Sequence, residues 1–268
     1  MLRLLACLAA VLLAPAAALA SQCYAFVERV PGVRYAALDG VLLAEDGEEV
    51  RVTYLGHSSF LIETQAGVSI VTDYYGNHGG GAPPTVVTMN KAHTTHFTTT
   101  PDPGIEHVLP GWGPDPATPA EHRLKLADVV IRNVTTDIRG WPEPERDANS
   151  IFVFEVADMC LGHLGHLHHV PSEEQFALIG QLDVVMAPVD GSWTLSIEEM
   201  VETLQRLKAR LVLPMHAFSQ AGMERFVQGL APEFAFETHD GPVLTVSLAT
   251  LPARPTVLMM PAGPRLME

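Results

Sequence analysis

An α/β fold, with helices covering the faces of sheet, is predicted by three features of the chain. In the second half, a strand-like run DVVMAPVDG, an amphipathic run SIEEMVETLQRLKA and a second strand-like run RLVLPMH follow one another. Two helix starts are marked by Ser-x-x-Gln/Glu spacing, at Ser172 with Gln175 and at Ser196 with Glu199, the arrangement that satisfies helix N-terminal amides reciprocally. Apolar runs rich in β-branched residues supply the strands, and several of them run directly into histidine.

Taken in order, RVTYLGHSSFLI and GVSIVTDYYG read as a hairpin on either side of the turn-like residues 65–67. TVVTMN is a short strand entering His93 and His96. Residues 98–119, rich in Pro, Gly, Asp and Thr, read as an irregular loop beside the presumed site. LADVVIRNVTTDI reads as one strand, GWPEPERDANS as a proline-rich loop, and SIFVFEVADMCL as a continuous buried strand ending at LGHLGHLHH. SEEQFALIG is a short helix. After the strand–helix–strand unit, residues 223–230 add a helix, VLTVSL a last strand, and the tail from Pro252 is expected to hug the surface.

The first 20 residues read as an export address. One positive charge at Arg3, the apolar core LLACLAAVLLAPAAA and the small-residue pattern Ala18-Leu19-Ala20 place cleavage before Ser21, with no membrane span afterwards and a periplasmic or secreted product. The organisation expected is a signal peptide at 1–20 and one domain at 21–268. Cys23 and Cys160 then remain; one disulfide is possible in an oxidising compartment, and Cys160 is read as a small buried apolar residue. With 16 Lys+Arg against 31 Asp+Glu the formal charge is −15, and no basic run offsets it, which argues against nucleic acid as a partner and leaves a small-molecule substrate.

Chemistry enters with the histidines: His93 and His96 three apart, His163, His166, His168 and His169 in one run, and His216 at the end of LPMH. Neutral imidazole is the commonest protein metal ligand, and several converging from strand ends leave a coordination position open for water and substrate. The set is therefore read as a metal site.

The order YLGHSSFLIET, GVSIVTDYYG, VVTMNKAHTTH, LGHLGH, DVVMAPVDGSWTL and VLPMH resembles the metallo-β-lactamase fold, and within it the broad metal-dependent hydrolases that include ascorbate-6-phosphate lactonases and N-acyl-phosphatidylethanolamine phospholipases. The resemblance covers about residues 50–220. It implies an αββα four-layer sandwich of two mixed sheets and a zinc hydrolase. Laid on the family's HxHxDH motif, residues 91–96 keep His93 and His96 but put Lys91 at the first histidine and Thr95 at the aspartate. The family's Gly-Asp element is laid on Gly162-His163, and its middle histidine falls near Asp137.

These departures empty one metal subsite and leave the other to His96, His163 and His216 as ligands of a single zinc, or of iron. His93 is a fourth ligand or orients water, and Asp137 is a weaker candidate that orients a ligand. The rival arrangement is a second ion held by His93, Asp137 and His166. The expected reaction is attack of metal-bound hydroxide on an ester, lactone, amide or phosphodiester. Lys91 is a candidate to stabilise an oxyanion and His57 to donate to substrate; Asp73 is expected to fix a loop through backbone amides, and Asp190 to accept a hydrogen bond near the metal. Two alternatives stand beside this: a degenerate, non-catalytic binding protein of the same fold, and iron–oxygen chemistry.

Overall fold

The computed structural model describes Cys23 and residues 48–263; the export segment lies outside the described residues. Two mixed sheets face each other. The first has six strands in the order β13-β1-β2-β3-β4-β5 and the second eight in the order β12-β14-β11-β10-β9-β8-β7-β6. In the first sheet β1 (Val50–Gly56), β2 (Ser59–Glu63) and β3 (Ser69–Val71) form an antiparallel meander, with β13 (Val243–Val246) on its outer edge. The parallel strands β4 (Val86–Met89) and β5 (His107–Pro110) complete it. The Gly-His break inside RVTYLGHSSFLI is thus itself the tight turn between β1 and β2.

The second sheet is antiparallel through β6 (Arg123–Leu126), β7 (Val129–Ile138), β8 (Glu145–Val156) and β9 (Met159–His163). It is parallel through β9, β10 (Val184–Pro188), β11 (Leu211–Met215), β14 (Thr256–Met259) and β12 (Ala235–Thr238). Period-2 alternation explains the interface: Val52, Phe60 and Ile62 from one sheet meet Ile131, Phe152 and Met186 from the other in one buried core.

The helices are α1 (Glu173–Ile179), α2 (Ile197–Leu207) and α3 (Gln220–Leu230). Both expected capping boxes form, with the Ser172 and Ser196 hydroxyls accepting from the amides of Gln175 and Glu199. Ile179, Met200, Leu204 and Phe226 then pack the helices onto Val185 and Val212 on the outer face of the eight-stranded sheet. Over the six-stranded sheet, loop residues Tyr74, Ile105, Phe97 and Trp112 cover Val71 and Val87. Among the described residues the helical layer lies on one side. No helix among them is long and apolar enough to cross a membrane.

Four local expectations are corrected. The supposedly irregular stretch 98–119 contains β5, paired in parallel with β4 from Val86–His107 to Met89–Pro110. LADVVIRNVTTDI does hold the one strand expected, β7, which the chain enters by a turn at Ala127 (φ 37°) after β6, but GWPEPERDANS is a loop only as far as Pro144, because β8 begins at Glu145 and takes in the rest. SIFVFEVADMCL is broken: Ala157 and Asp158 are both left-handed (φ 52° and 56°), as the two central residues of a hairpin turn that follows strand twist. An unbroken apolar run carries no sign of such a turn when small and acidic residues supply it. Finally, the tail supplies β14, whose Val257 is fully buried between β11 and β12; Pro255 sits just before the strand, where a missing amide costs no ladder bond.

Cys160 is not a free apolar residue. It is bonded to Cys23 (S–S 2.04 Å), and the Cys23 carbonyl accepts from the Gln181 amide (2.8 Å), so a residue 137 positions away in sequence is buried in the core and fastened both to β9 and to the segment after α1.

Candidate metal centre

The carboxyl ends of β3, β4, β9, β10 and β11 open on one place where the two sheets meet, the crevice in which α/β sheets present ligands. The His216 amide donates to the His57 carbonyl (2.7 Å), and the Tyr54 hydroxyl donates to that same oxygen (2.9 Å), tying the β1–β2 turn to the end of β11. His57, Asp73 and His216 all hold left-handed backbones (φ 54°, 45° and 54°). Non-glycine residues adopt that region at a cost, and three of them at one mouth show that side-chain aim is maintained against local preference.

His57, His93, His96 and His216 offer ring nitrogens that all lie within 4.8 Å of one another. His96 and His216 are the buried pair, and their settings match. The Nδ1 of His96 is 2.5 Å from Asp73 Oδ2, and the Nδ1 of His216 is 3.0 Å from Asp190 Oδ1. Each Nδ1–H is thereby donated to a carboxylate, so each Nε2 carries a lone pair. Both Nε2 atoms are buried without a hydrogen-bond partner. A buried, unpaired acceptor is costly unless something electropositive meets it. Imidazoles backed by carboxylates are also how proteins orient metal-ligating histidines and raise their basicity. The residues present fit a cation.

Both carboxylates are themselves held. Asn90 donates to Asp73 Oδ1 (2.8 Å), and the Ser150 amide fixes Asn90 in turn (2.7 Å). Asp190 receives the Ser192 and Trp193 amides (2.9 and 2.5 Å) and the Thr194 hydroxyl (2.5 Å). The Arg139 guanidinium grips the carbonyls of Ser192, Trp193 and Thr194 from outside. Burial pushes Asp73 above the ordinary carboxylate range. It pushes Asp190 the same way, but the hydrogen bonds from His216, Thr194 and the amides outweigh it and hold that carboxyl below its usual value.

The rings are kept neutral. Burial, with the neighbouring histidines, lowers His57 to about 4 and His96 to about 2, and lowers His93 and His166 as well. A neutral set of imidazoles is the form a metal needs.

His163 stands apart from this group. Its Nε2 lies 2.8 Å from the Ser58 carbonyl and its Nδ1 accepts from the Gly165 amide (3.2 Å), so both nitrogens are used by backbone, and the fully buried ring pins β9 to the β1–β2 turn. Three residues later the Gly-His pair recurs as Gly165-His166. It is His166 that reaches the group, its Nε2 3.1 Å from His93 Nε2 and its ring 4.8 Å from that of His96. Asp137 is turned away at the β7–β8 bulge, accepting from the Asp147 amide (3.0 Å). Lys91 is exposed and ion-paired with Glu145. Neither is brought to the histidines.

Two features were not read from the sequence. Asp73 bears on the His96 ring rather than on amides; its signal was its place at a strand end, the same signal the histidines gave. Phe218, more than half exposed, lies against His216 (centroids 4.4 Å) and His57 (5.7 Å), and forms an apolar wall of the mouth. Trp193 and Trp141 are exposed near the Arg139-bound loop, whereas Trp112 packs edge-on to Phe97.

Two facing mixed sheets, with carboxylate-backed histidines where their strands end, define a metal-site sandwich of the lactamase type. The chain belongs to the β-lactamase superfamily domain family, whose model matches residues 51–216. Among known proteins it is similar to the UPF0173 metal-dependent hydrolase PH1671 of Pyrococcus horikoshii, 26% identical over 192 residues that cover 62% of this chain and 84% of that protein. A UPF0173 protein of Pyrococcus abyssi is 24% identical over 189 residues, 65% of this chain and 86% of its own length. A solved structure from Thermotoga maritima, described as a Zn-dependent hydrolase of the metallo-β-lactamase superfamily, superposes with a TM-score of 0.59 at 25% identity, over 80% of this chain and all of that one.

Proposed function

We propose that the protein is an exported, metal-dependent hydrolase that holds one zinc ion on His93, His96 and His216 and cleaves an ester, lactone, amide or phosphodiester. The observation that carries the reading is the pair of buried, unpartnered Nε2 atoms on His96 and His216, each opposite an Nδ1 committed to a carboxylate. His93 is the natural third donor, since its Nδ1 lies on Thr95 Oγ1 (2.7 Å) and its Nε2 faces inward. Zinc accepts such a nitrogen set readily, and when bound it supplies a Lewis acid that makes a water nucleophile available near neutral pH.

The chain's own residues do the rest. Asp73 and Asp190 hold the ligand rings in one tautomer. His57, with its Nε2 2.8 Å from Thr95 Oγ1, lines the mouth beside Phe218, and the two together bound the space where a substrate lies. The names of the relatives support hydrolysis. Export is supported by the signal-like leader and by the Cys23–Cys160 bond, which suits an oxidising compartment.

Metal analysis of protein purified without added metal, followed by hydrolysis assays on the four substrate classes before and after chelation, tests the reading. About one zinc per chain with chelator-sensitive hydrolysis supports it. Protein that neither contains nor takes up metal overturns it, and iron in place of zinc overturns the assignment of the ion.

A further inference from the structure

We infer that the mouth of the metal centre takes an uncharged substrate with an extended apolar group, such as an acyl chain, beside the bond that is cleaved, and that Phe218 is the residue that selects it. The reaction rests on the hydrolase reading; the class of ligand rests on where the exposed aromatic rings stand.

Folded proteins expose single large apolar side chains as a matter of course. Here three aromatic ones, Trp141, Trp193 and Phe218, are 95%, 66% and 58% exposed, and all three stand on segments joined to the histidines. Phe218 follows His216 by two residues and touches the group itself, edge-on to His216 (centroids 4.4 Å) and stacked on His57 (5.7 Å, interplanar angle 28°). Part of its ring is spent on the histidines, and the larger part is open. Trp193 stands on the loop behind His216: its amide donates to Asp190 Oδ2 (2.5 Å), and the other oxygen of that carboxylate meets His216 Nδ1 (3.0 Å). Trp141 comes two residues after Arg139, whose guanidinium holds the Trp193 carbonyl (2.8 Å).

The backbone keeps these rings from turning inward. Before Phe218 the His216 amide is tied to the His57 carbonyl (2.7 Å), and after it Ser219 caps α3, its hydroxyl accepting from the Gly222 amide (3.0 Å). Trp193 is held at both its amide and its carbonyl. Apolar area fixed at the mouth in this way is removed from water when an apolar group is laid on it. Small-molecule sites are built on this plan, with apolar walls around the few polar groups that act on the reacting bond.

A phosphodiester calls for cations instead. Lys91, two residues from His93, is paired with Glu145, and Arg139 spends its guanidinium on the carbonyls of Ser192, Trp193 and Thr194. The chain's formal charge of −15 opposes an anion further. Of the four bond classes, the wall therefore favours ester, lactone and amide.

Two readouts test this. p-Nitrophenyl esters from acetate to octanoate, and bis(p-nitrophenyl) phosphate as the charged class, are assayed on zinc-loaded wild type, Phe218→Ala and Phe218→Leu, with metal content measured in each. In the wild type kcat/KM is expected to rise about two- to fourfold per methylene. Phe218→Ala should lose most of that rise at unchanged metal content, and Phe218→Leu, which restores apolar area, should keep most of it. The second readout needs no turnover: binding of butanamide, hexanamide and octanamide to metal-free protein, followed by calorimetry, should tighten with chain length in the wild type and much less in Phe218→Ala. A flat dependence on chain length in either readout, an unchanged slope in Phe218→Ala, or faster cleavage of the phosphodiester than of the octanoate overturns the proposal. Length-dependent binding with no ester cleaved would sink the hydrolase reading and leave the apolar wall standing, whereas cleavage indifferent to chain length would do the reverse.

Discussion

His163 and His216 end strands of the same sheet, two places apart, and both are buried, yet they do opposite things. His163 gives Nε2 to the Ser58 carbonyl and Nδ1 to the Gly165 amide, and so has no nitrogen left over. His216 commits Nδ1 to Asp190 and leaves Nε2 unpartnered. Burial and strand-end position are common to both. What separates a structural histidine from a candidate ligand is the atom behind the ring: a carboxylate turns the lone pair inward, whereas backbone on both sides uses the ring up.

The largest expected effect separates the two directly. His216→Ala should reduce metal from about one ion per chain to near zero with little loss of stability. His163→Ala should leave the metal content of the folded protein unchanged and cost roughly 2–4 kcal/mol in denaturant unfolding, through the cavity and the orphaned Ser58 carbonyl. If His163→Ala lost metal as His216→Ala does, the distinction would collapse. A finer version keeps the ring and changes only its backing: Asp190→Asn should weaken metal affinity about 10–100-fold, read by competition with a chelator of known affinity.

The two cysteines offer a second contrast, between a tether far apart in sequence and the local hydrogen bonds around it. The Cys23–Cys160 bond spans 137 residues. Closing so long a loop restricts the unfolded chain, and Cys23→Ser is expected to cost about 2–4 kcal/mol. Metal content should be unaffected, since β9 reaches the site from its other end. Reductant should lower the wild-type melting temperature to that of Cys23→Ser and leave the variant unmoved.

How much of this was legible in the sequence follows from the same distinction. The capping boxes at Ser172 and Ser196 were legible because their chemistry is local, four residues that satisfy one another. His96 and His216 were legible as strand-end histidines, and Asp190 as an acceptor nearby. Gly162-His163 was not separable from Gly165-His166 in one dimension: the pairs are identical, and only the three-dimensional end of β9 decides that the first ring stays between the sheets and the second clears their edge. Lys91 was misleading for the converse reason, because its partner Glu145 comes from a distant strand. The turn at Ala157-Asp158 lacked the glycines and prolines that announce turns, and so the two strands it divides read as continuous.

The smallest effect concerns pH and compares the buried rings with the carboxylates behind them. His57, His96 and His168 all sit below their ordinary 6.5, chiefly through burial, His57 and His168 at about 4 and His96 at about 2. As pH falls below 6.5 the unfolded chain takes up protons that these folded rings refuse. Stability of the metal-free protein is therefore greatest above 6.5 and declines as pH drops toward 4. The fully buried His96 contributes at most about 1.4 kcal/mol per pH unit, the ceiling for any single ring, and the more exposed His57 and His168 contribute less. Asp73 works in the opposite sense, its raised value favouring the folded state at low pH, whereas Asp190, held low, loses its contribution only below the ordinary carboxylate value of 3.8. Between pH 7 and 5 the histidines dominate, so the melting temperature of metal-free protein should fall across that window, and fall less steeply in His57→Asn. A flat profile would mean that these rings accept protons in place, in which case their neutrality, and with it the contrast between rings backed by carboxylate and rings pinned by backbone, is not set by the fold.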